Sequence, residues 1–117
     1  MDDSQARKFQ KDLNAGLTAL VLLAVLERTT EDLYGYEIAK RLQKANEGEA
    51  LFKEGTIYPV LRALAAGGLL TSRVVPSYAG PPRRYYRITK SGRGALTRDR
   101  AEWRELSRAV TMILGEA

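Results

Sequence analysis

The pattern of hydrophobic and polar residues begins with a segment that predicts a buried helix. Ala19–Leu26 is apolar throughout, and Asn14 before it has the chemistry of an N-cap. We therefore expect a helix over about Ala15–Arg28. Because this helix is apolar on nearly all sides, it should lie at the centre of the fold or between two subunits.

A second helix is predicted over Tyr34–Lys44, where apolar and basic residues fall on different sides. Ile38, Leu42 and Ala45 recur at helical spacing. The polar stretch Asn46–Lys53 that follows contains a glycine and is interpreted as a connector.

A third helix is bounded by residues that start and stop helices. Pro59 has no amide hydrogen, so it belongs in the first helical turn and places the start near Glu54–Ile57. Gly67 and Gly68 mark the end of the helix. The inward face is expected to carry Ile57, Leu61 and Leu64.

Beyond the glycine pair, the pattern changes to that of a β-hairpin. Leu69–Val75 and Arg83–Thr89 are predicted as strands, joined by Pro76–Pro82, a turn rich in glycine and proline. Successive side chains of a strand point to opposite faces of the sheet. We expect Tyr86 and Ile88 to face the core.

The last helix should begin after Thr89, which can cap it, and run to about Leu114. From Trp103 onward its apolar residues recur in steps of three and four, the spacing of a helix that pairs with another long helix. Asp99 interrupts this series. We predict a homodimer in which each chain is one compact unit, with a domain over residues 1–88 and a dimerisation helix over residues 89–117. The expected interface consists of Leu17, Leu96, Trp103, Leu106, Val110 and Ile113.

The positive charge of the chain is concentrated in one block. Nineteen Lys and Arg stand against fourteen Asp and Glu, a net charge of +5. Residues 55–98 contain no Asp or Glu but eight Lys and Arg. A solvated surface normally mixes both signs, so this block favours a surface that faces phosphates.

The residue types that are missing exclude most catalytic chemistry. The chain has no Cys and no His, so it can form neither a disulfide nor a zinc finger nor a His-based catalytic triad. We expect no enzyme, no metal and no other cofactor. The polar first ten residues are not typical of a signal peptide, and the short apolar run predicts no membrane span. A cytoplasmic protein is expected.

Three helices, a hairpin and a further helix follow the order of a winged helix-turn-helix domain, so the fold is predicted to be mainly α with a small β-hairpin. In such a domain the third helix enters the major groove of DNA and the hairpin forms a wing. We consider two alternatives for Tyr58: a hydroxyl that faces DNA, or a ring packed against the second helix. The predicted DNA-binding residues are Lys40, Lys44, Lys53, Gly55, Thr56, Tyr58, Pro59, Arg62, Arg83 and Arg84.

Several short motifs occur together along the chain, among them a Gly-Thr-Ile-Tyr-Pro helix start and an Arg-Arg-Tyr-Tyr-Arg strand. The segments that contain them are Tyr34–Ile38, Gly55–Leu61, Gly68–Leu70 and Arg83–Thr89, followed by Gly92. Over about 13–96, this combination resembles the PadR family of bacterial transcriptional regulators. The single helix at the end of the chain is similar to the small members of the family.

The resemblance implies a homodimeric repressor that binds a pseudo-palindromic operator and releases it when a small molecule binds. In multidrug-sensing members, a Trp on the last helix stacks flat aromatic ligands between subunits. Carried over to this chain, Trp103 would be that residue, and Leu20 and Leu23 would form the walls. The neutral Ser107, one turn on, departs from a strongly cation-binding site. Trp103 as a packing residue is the competing interpretation.

Two other classes of nucleic-acid-binding protein remain open from the sequence. A small basic RNA-binding protein would usually show exposed aromatic residues on a sheet or an arginine-rich tail. A DNA-architectural protein would lack an effector. Competition between duplex DNA and RNA separates the first class, and a ligand titration that follows Trp103 fluorescence separates the second.

Overall fold

The computed structural model describes residues 2–45 and 52–116 of the 117-residue chain. Most of the predicted connector 46–53 therefore lies outside the described residues. The elements are α1 (Asp3–Glu27), β1 (Leu33–Tyr34), α2 (Gly35–Ala45), α3 (Glu54–Ala66), β2 (Leu70–Val75), β3 (Arg83–Ile88) and α4 (Lys90–Leu114). The described elements confirm the predicted mainly helical class with a small sheet.

Helix α1 begins twelve residues before the predicted start, so that prediction was wrong. Its N-cap is Asp2, whose Oδ1 accepts from the Gln5 amide at 2.8 Å, while Gln5 Oε1 accepts from the Asp2 amide at 3.2 Å. This is a capping box. Asn14 lies inside the helix, where its carbonyl accepts from Thr18 Oγ1 at 3.1 Å. The apolar run marks where the helix enters the core.

Helix α1 is long and apolar enough to meet a length-and-composition test for a membrane span, with a mean hydropathy of 1.3 over eighteen residues. Burial within the chain accounts for part of that composition, since 22% of that window is buried. Leu22, Leu23 and Leu26 are almost fully enclosed by the other helices and the sheet. We therefore assign the apolar part of α1 as a core helix.

The sheet has three strands in the order β1-β3-β2, all antiparallel, where the sequence predicted a two-stranded hairpin. The additional strand β1 pairs Leu33 with Tyr86 and Tyr34 with Tyr85. Two residues are too few to show an alternating pattern, so the sequence carried no strand signal here. The strand attaches the chain between α1 and α2 to the hairpin.

The core lies between α1, α3 and the inner face of the sheet. Tyr86 and Ile88 are buried, as predicted for β3. The inward residues predicted for α3 are also buried, and so are Ile38 and Leu42 of α2. The side chain of Ala45 lies outside the described residues.

Helix α3 begins at the predicted Glu54, but Pro59 occupies its second turn rather than its first. The missing amide of Pro59 is the one that would donate to the carbonyl of Gly55, four residues earlier. A helix can bear this loss near its start, where few amides and carbonyls are yet paired.

Helix α4 is fixed at its start and uncovered towards its end. Thr89 Oγ1 accepts from the Gly92 amide at 3.0 Å, as the predicted cap requires. Gly92 lies so close to the carbonyl of Leu69 that no side chain would fit. Leu96 is buried, whereas the later apolar residues of the helix are largely exposed.

Candidate nucleic-acid interface

The start of α2, helix α3 and the hairpin enclose a groove of about 460 Å³ that contains four of the predicted DNA-binding residues. Two come from α3 and two from β3, so residues more than twenty positions apart in sequence meet here. The hairpin turn 77–82 supplies part of the rim. The four residues are Tyr58, Arg62, Arg83 and Arg84.

The ring of Tyr58 packs against the first residue of α2. A Cβ on Gly35 would lie 2.5 Å from Cε1 of Tyr58, so glycine is required for this approach. Burial is the main cause that raises the pKa of Tyr58, and Glu54 adds to it. The two alternatives for Tyr58 are therefore compatible, because its ring packs on α2 and the residue also lines the groove.

The two arginines at the start of β3 lie on opposite faces of the sheet, and both line the groove at this end of the strand. The guanidinium carbon of Arg83 lies 4.7 Å from the ring centroid of Tyr34, a cation–π contact. Arg84 donates through Nη1 to Ser72 Oγ at 3.3 Å. Each contact orients a guanidinium that keeps further N–H donors.

Lys40 and Lys44 belong to a neighbouring surface on α2. Both are exposed, and they line a shallow groove together with Tyr34 and Tyr36. The ammonium of Lys40 lies 5.1 Å from the ring centroid of Tyr36. Since Tyr34 and Tyr36 also line the first groove, the two surfaces are continuous.

The start of α3 presents the remaining predicted residues. Lys53 is the N-cap residue and is exposed, as are Gly55 and Pro59. Lys53 and Thr56 line a small cleft with Arg7 and Lys11 of α1. These two cations were not predicted, because the predicted helix began too late. The capping box at Asp2 was the signal that could have found them.

The basic segment 55–98 has no acidic residue of its own, but the fold brings a carboxylate to it from elsewhere in the chain. Asp32, which precedes β1, forms ion pairs with Arg73 at 2.6 Å and Arg87 at 2.5 Å. The Arg73 hydrogen bond is the largest cause that lowers the pKa of Asp32. Three of the eight basic residues in this block have a carboxylate partner: Asp32 for Arg73 and Arg87, and Asp99 for Arg98 at 3.7 Å.

A second groove, of about 910 Å³, separates α1 from the distal half of α4. Its walls include Leu17, Leu20 and Trp103, together with Leu106 and Val110. Asp99 and Glu102 also line it, so the groove combines apolar surface with two carboxylates. Its position is that of the predicted ligand and dimer surface.

Two residues predicted for this surface are in the core instead. Leu23, predicted as a ligand wall, is 1% exposed, and Leu96, predicted for the interface, is fully buried. Both belong to the hydrophobic cluster of the chain itself. Helical spacing alone could not distinguish buried from open positions. One part of each helix packs in the core, and another part of the same helix lines the open groove.

The geometry is that of a winged-helix DNA-binding regulator, in which helix α3 and a basic hairpin line one groove. The family model of the PadR-like transcriptional regulators matches residues 22–98. The chain belongs to this family. Its members are transcription regulators rather than enzymes, and membership implies DNA binding.

Individual relatives agree with this assignment. The transcriptional regulator Rv3488 of Mycobacterium tuberculosis is 53% identical over 58 residues, which is 48% of this chain and 51% of the relative. A PadR family regulator structure from Eggerthella lenta is 31% identical, with a TM-score of 0.70 over 96% of this chain and 94% of its own. The structure of a transcriptional regulator from Clostridium thermocellum is 27% identical, with a TM-score of 0.76 over 86% of this chain and 96% of its own.

Proposed function

We propose that the protein is a cytoplasmic, homodimeric repressor that binds a pseudo-palindromic operator. In each subunit α3 enters the major groove and the hairpin contacts the flanking phosphates. The two α3 helices of the dimer lie about 34 Å apart, one turn of DNA. The observation that carries the proposal is the single groove in which Tyr58 and Arg62 of α3 meet Arg83 and Arg84 of the hairpin.

Selection from a random duplex library tests sequence-specific binding. The wild-type protein should enrich an inverted repeat with half-site centres about ten base pairs apart. A single half-site, or no enriched sequence, contradicts the proposal. An RNA pool of equal length, offered in competition, should not displace the selected duplex; if it does, the RNA-binding alternative is favoured.

The salt dependence of DNA affinity tests whether Arg84 contacts a phosphate. With about six to eight phosphate contacts per dimer, the slope of log affinity against log salt should be about −5 to −7. Arg84→Ala should make the slope shallower by up to about two units, one contact per subunit, and weaken all sequences alike. An unchanged slope excludes Arg84 as a phosphate contact. Arg108→Ala, which removes an exposed arginine on the distal half of α4 outside the 55–98 block, serves as the matched control.

The groove between α1 and α4 is the proposed effector site. Trp103 offers a flat aromatic wall and Leu20 an apolar one, and the carboxylate of Glu102 favours a planar aromatic compound that carries positive charge. Asp99 also lines the groove but pairs with Arg98 at 3.7 Å. Aromatic stacking contributes about 0.5–1.5 kcal/mol per ring pair beyond burial. Binding of such a compound should quench Trp103 emission and weaken operator binding, and operator DNA must weaken ligand binding by the same factor.

The variant Trp103→Ala decides the sensing role. Since Trp103 is 42% exposed, the subunit should fold without it. Retained dimerisation and operator affinity, with loss of ethidium binding measured by dye fluorescence in the absence of DNA, support a ligand-binding role. Retained dye binding without DNA, or loss of the dimer, shows that Trp103 is a packing residue.

A further inference from the structure

Asp32 connects three parts of the fold through one carboxylate. Its Oδ2 accepts from Arg73 Nε on β2, and its Oδ1 accepts from Arg87 Nε on β3. Asp32 itself precedes β1, whose pairing with β3 involves only Leu33 and Tyr34. The carboxylate therefore holds the chain between α1 and α2 to both strands of the hairpin.

The two arginines are also oriented by the sheet. Arg73 lies opposite Tyr85 in the strand register, with its guanidinium carbon 5.2 Å from the ring centroid. The side chain of Asp32 is 16% exposed, whereas those of Arg73 and Arg87 are 61% and 57% exposed. The acid is thus largely covered, and the cations could reach another anion if it were removed.

The face that carries these ion pairs continues to the proposed DNA surface. Arg83, Tyr85 and Arg87 lie on one face of β3, because side chains two apart along a strand point the same way. Arg83 belongs to the groove that we assign to DNA. Two free arginines beside it would bind phosphates of any sequence.

We propose that Asp32 is a specificity-determining residue that keeps Arg73 and Arg87 from contacting phosphates. This inference rests on the proposed function, since it concerns how the same surface distinguishes its operator from other DNA. The ion pairs restrict the sequence-independent part of binding and fix the position of the hairpin. Specificity then depends more on α3, which can contact base edges.

The test compares Asp32→Asn with the wild type on two duplexes, the one selected from the library and a scrambled version of it. Affinities are measured by fluorescence anisotropy between about 50 and 200 mM salt. For the scrambled duplex, Asp32→Asn should steepen the salt slope by about 1 to 4 units per dimer, as up to four freed arginines contact phosphates. The ratio of specific to scrambled affinity should fall at least about tenfold.

Two controls separate this effect from a change in net charge. Asp12→Asn removes the same charge at an exposed acid that pairs with Lys8 on α1, and it should leave both slopes unchanged. In an Arg73→Gln/Arg87→Gln background, the effect of Asp32→Asn on the scrambled duplex should vanish. Equal losses on both duplexes, or a steeper slope that persists without the arginines, would overturn the inference.

A measurement on the wild type covers the case in which Asp32→Asn does not fold. The arginine Nε–H resonances are followed by NMR as the scrambled duplex is added. Those of Arg73 and Arg87 should stay in place while those of Arg83 and Arg84 shift. Shifts at all four positions overturn the inference alone, whereas a wild type that selects no sequence and shifts no arginine resonance overturns the proposed function.

Discussion

The two halves of α4 differ in what covers their apolar residues. In the first half, Leu96 is fully buried in the core of its own chain. In the second half, Leu106 and Ile113 are 60% and 83% exposed, although they continue the same helix. Burial of an apolar side chain stabilises a fold by about 1.5–3 kcal/mol, so exposed residues in this number indicate an interface. The first half packs within its own chain, and in the proposed dimer a second copy covers the second half.

The largest effect is expected from a charge in the second half. Leu106→Asp should abolish the dimer and operator binding together, because an unpaired carboxylate in an apolar interface costs at least about 3 kcal/mol, or roughly a hundredfold in affinity. Sedimentation at micromolar concentration and a DNA-binding assay provide the measurement. Ala101→Asp, on the opposite side of α4, should change neither property. A dimer that survives Leu106→Asp places the interface elsewhere.

A cavity in the first half should act on folding instead. Leu96→Ala should lower the free energy of unfolding by about 2–5 kcal/mol, as large-to-small changes in a core do. The loss should be the same at every protein concentration that keeps the chain dimeric. Val110→Ala is the comparison in the second half: its loss of stability should grow as the protein is diluted. Chemical denaturation at two concentrations measures both, and identical concentration dependence would remove the distinction between the halves.

The junction before the first half is expected to be sensitive to a single methyl group. Gly92→Ala would place Cβ against the carbonyl of Leu69 and the side chain of Ile88. Because the backbone of Leu69 cannot move away without strain, we expect the free energy of unfolding to fall by about 1–3 kcal/mol, measured by thermal unfolding. Gly94→Ala meets no neighbour within 4 Å and should be neutral or slightly stabilising. Equal effects at both glycines would contradict the close packing at Gly92.

The smallest effect is expected at the end of the second half. Ile113→Ser should weaken dimerisation by about 1–2 kcal/mol, because Ile113 is the last residue of the predicted series and helix ends fray. Met112→Ser, at a neighbouring position outside that series, should leave the dimer unchanged. Sedimentation equilibrium of the two variants measures the difference. A larger loss for Met112→Ser would mean that the helices pair through a different face.

The sequence predicted the parts of the fold that have a repeating pattern or a specific cap. Helix α3 between Glu54 and the glycines, and the Thr89 cap of α4, are both confirmed. The first half of α1 lacked an apolar stripe, and β1 is too short for periodicity, so both were missed. The Asp32 ion pairs join residues 41 and 55 positions apart, and a linear count of charges cannot show such contacts.

The candidate site was also predicted only in part. Side-chain types placed Tyr58, Arg62, Arg83 and Arg84 on one surface, and the structure brings them to one groove. Leu23 and Leu96 were assigned to the wrong surface. Some apolar residues of α1 and α4 pack in the core, while others farther along the same helices line the open groove. Only the packing of neighbouring elements determines where that change occurs.

The close packing at Gly92 fixes the start of α4 to the end of α3, so the two helices should move together. Thr89 donates from its amide to the carbonyl of Leu69 and from its hydroxyl to the carbonyl of Gly68, directly after α3 ends. A helix of 25 residues is about 37 Å long. A tilt of about 5° therefore displaces its far end by about 3 Å relative to its fixed end. In a dimer joined at the far ends, a small change of crossing angle is amplified into a change in the distance between the two α3 helices.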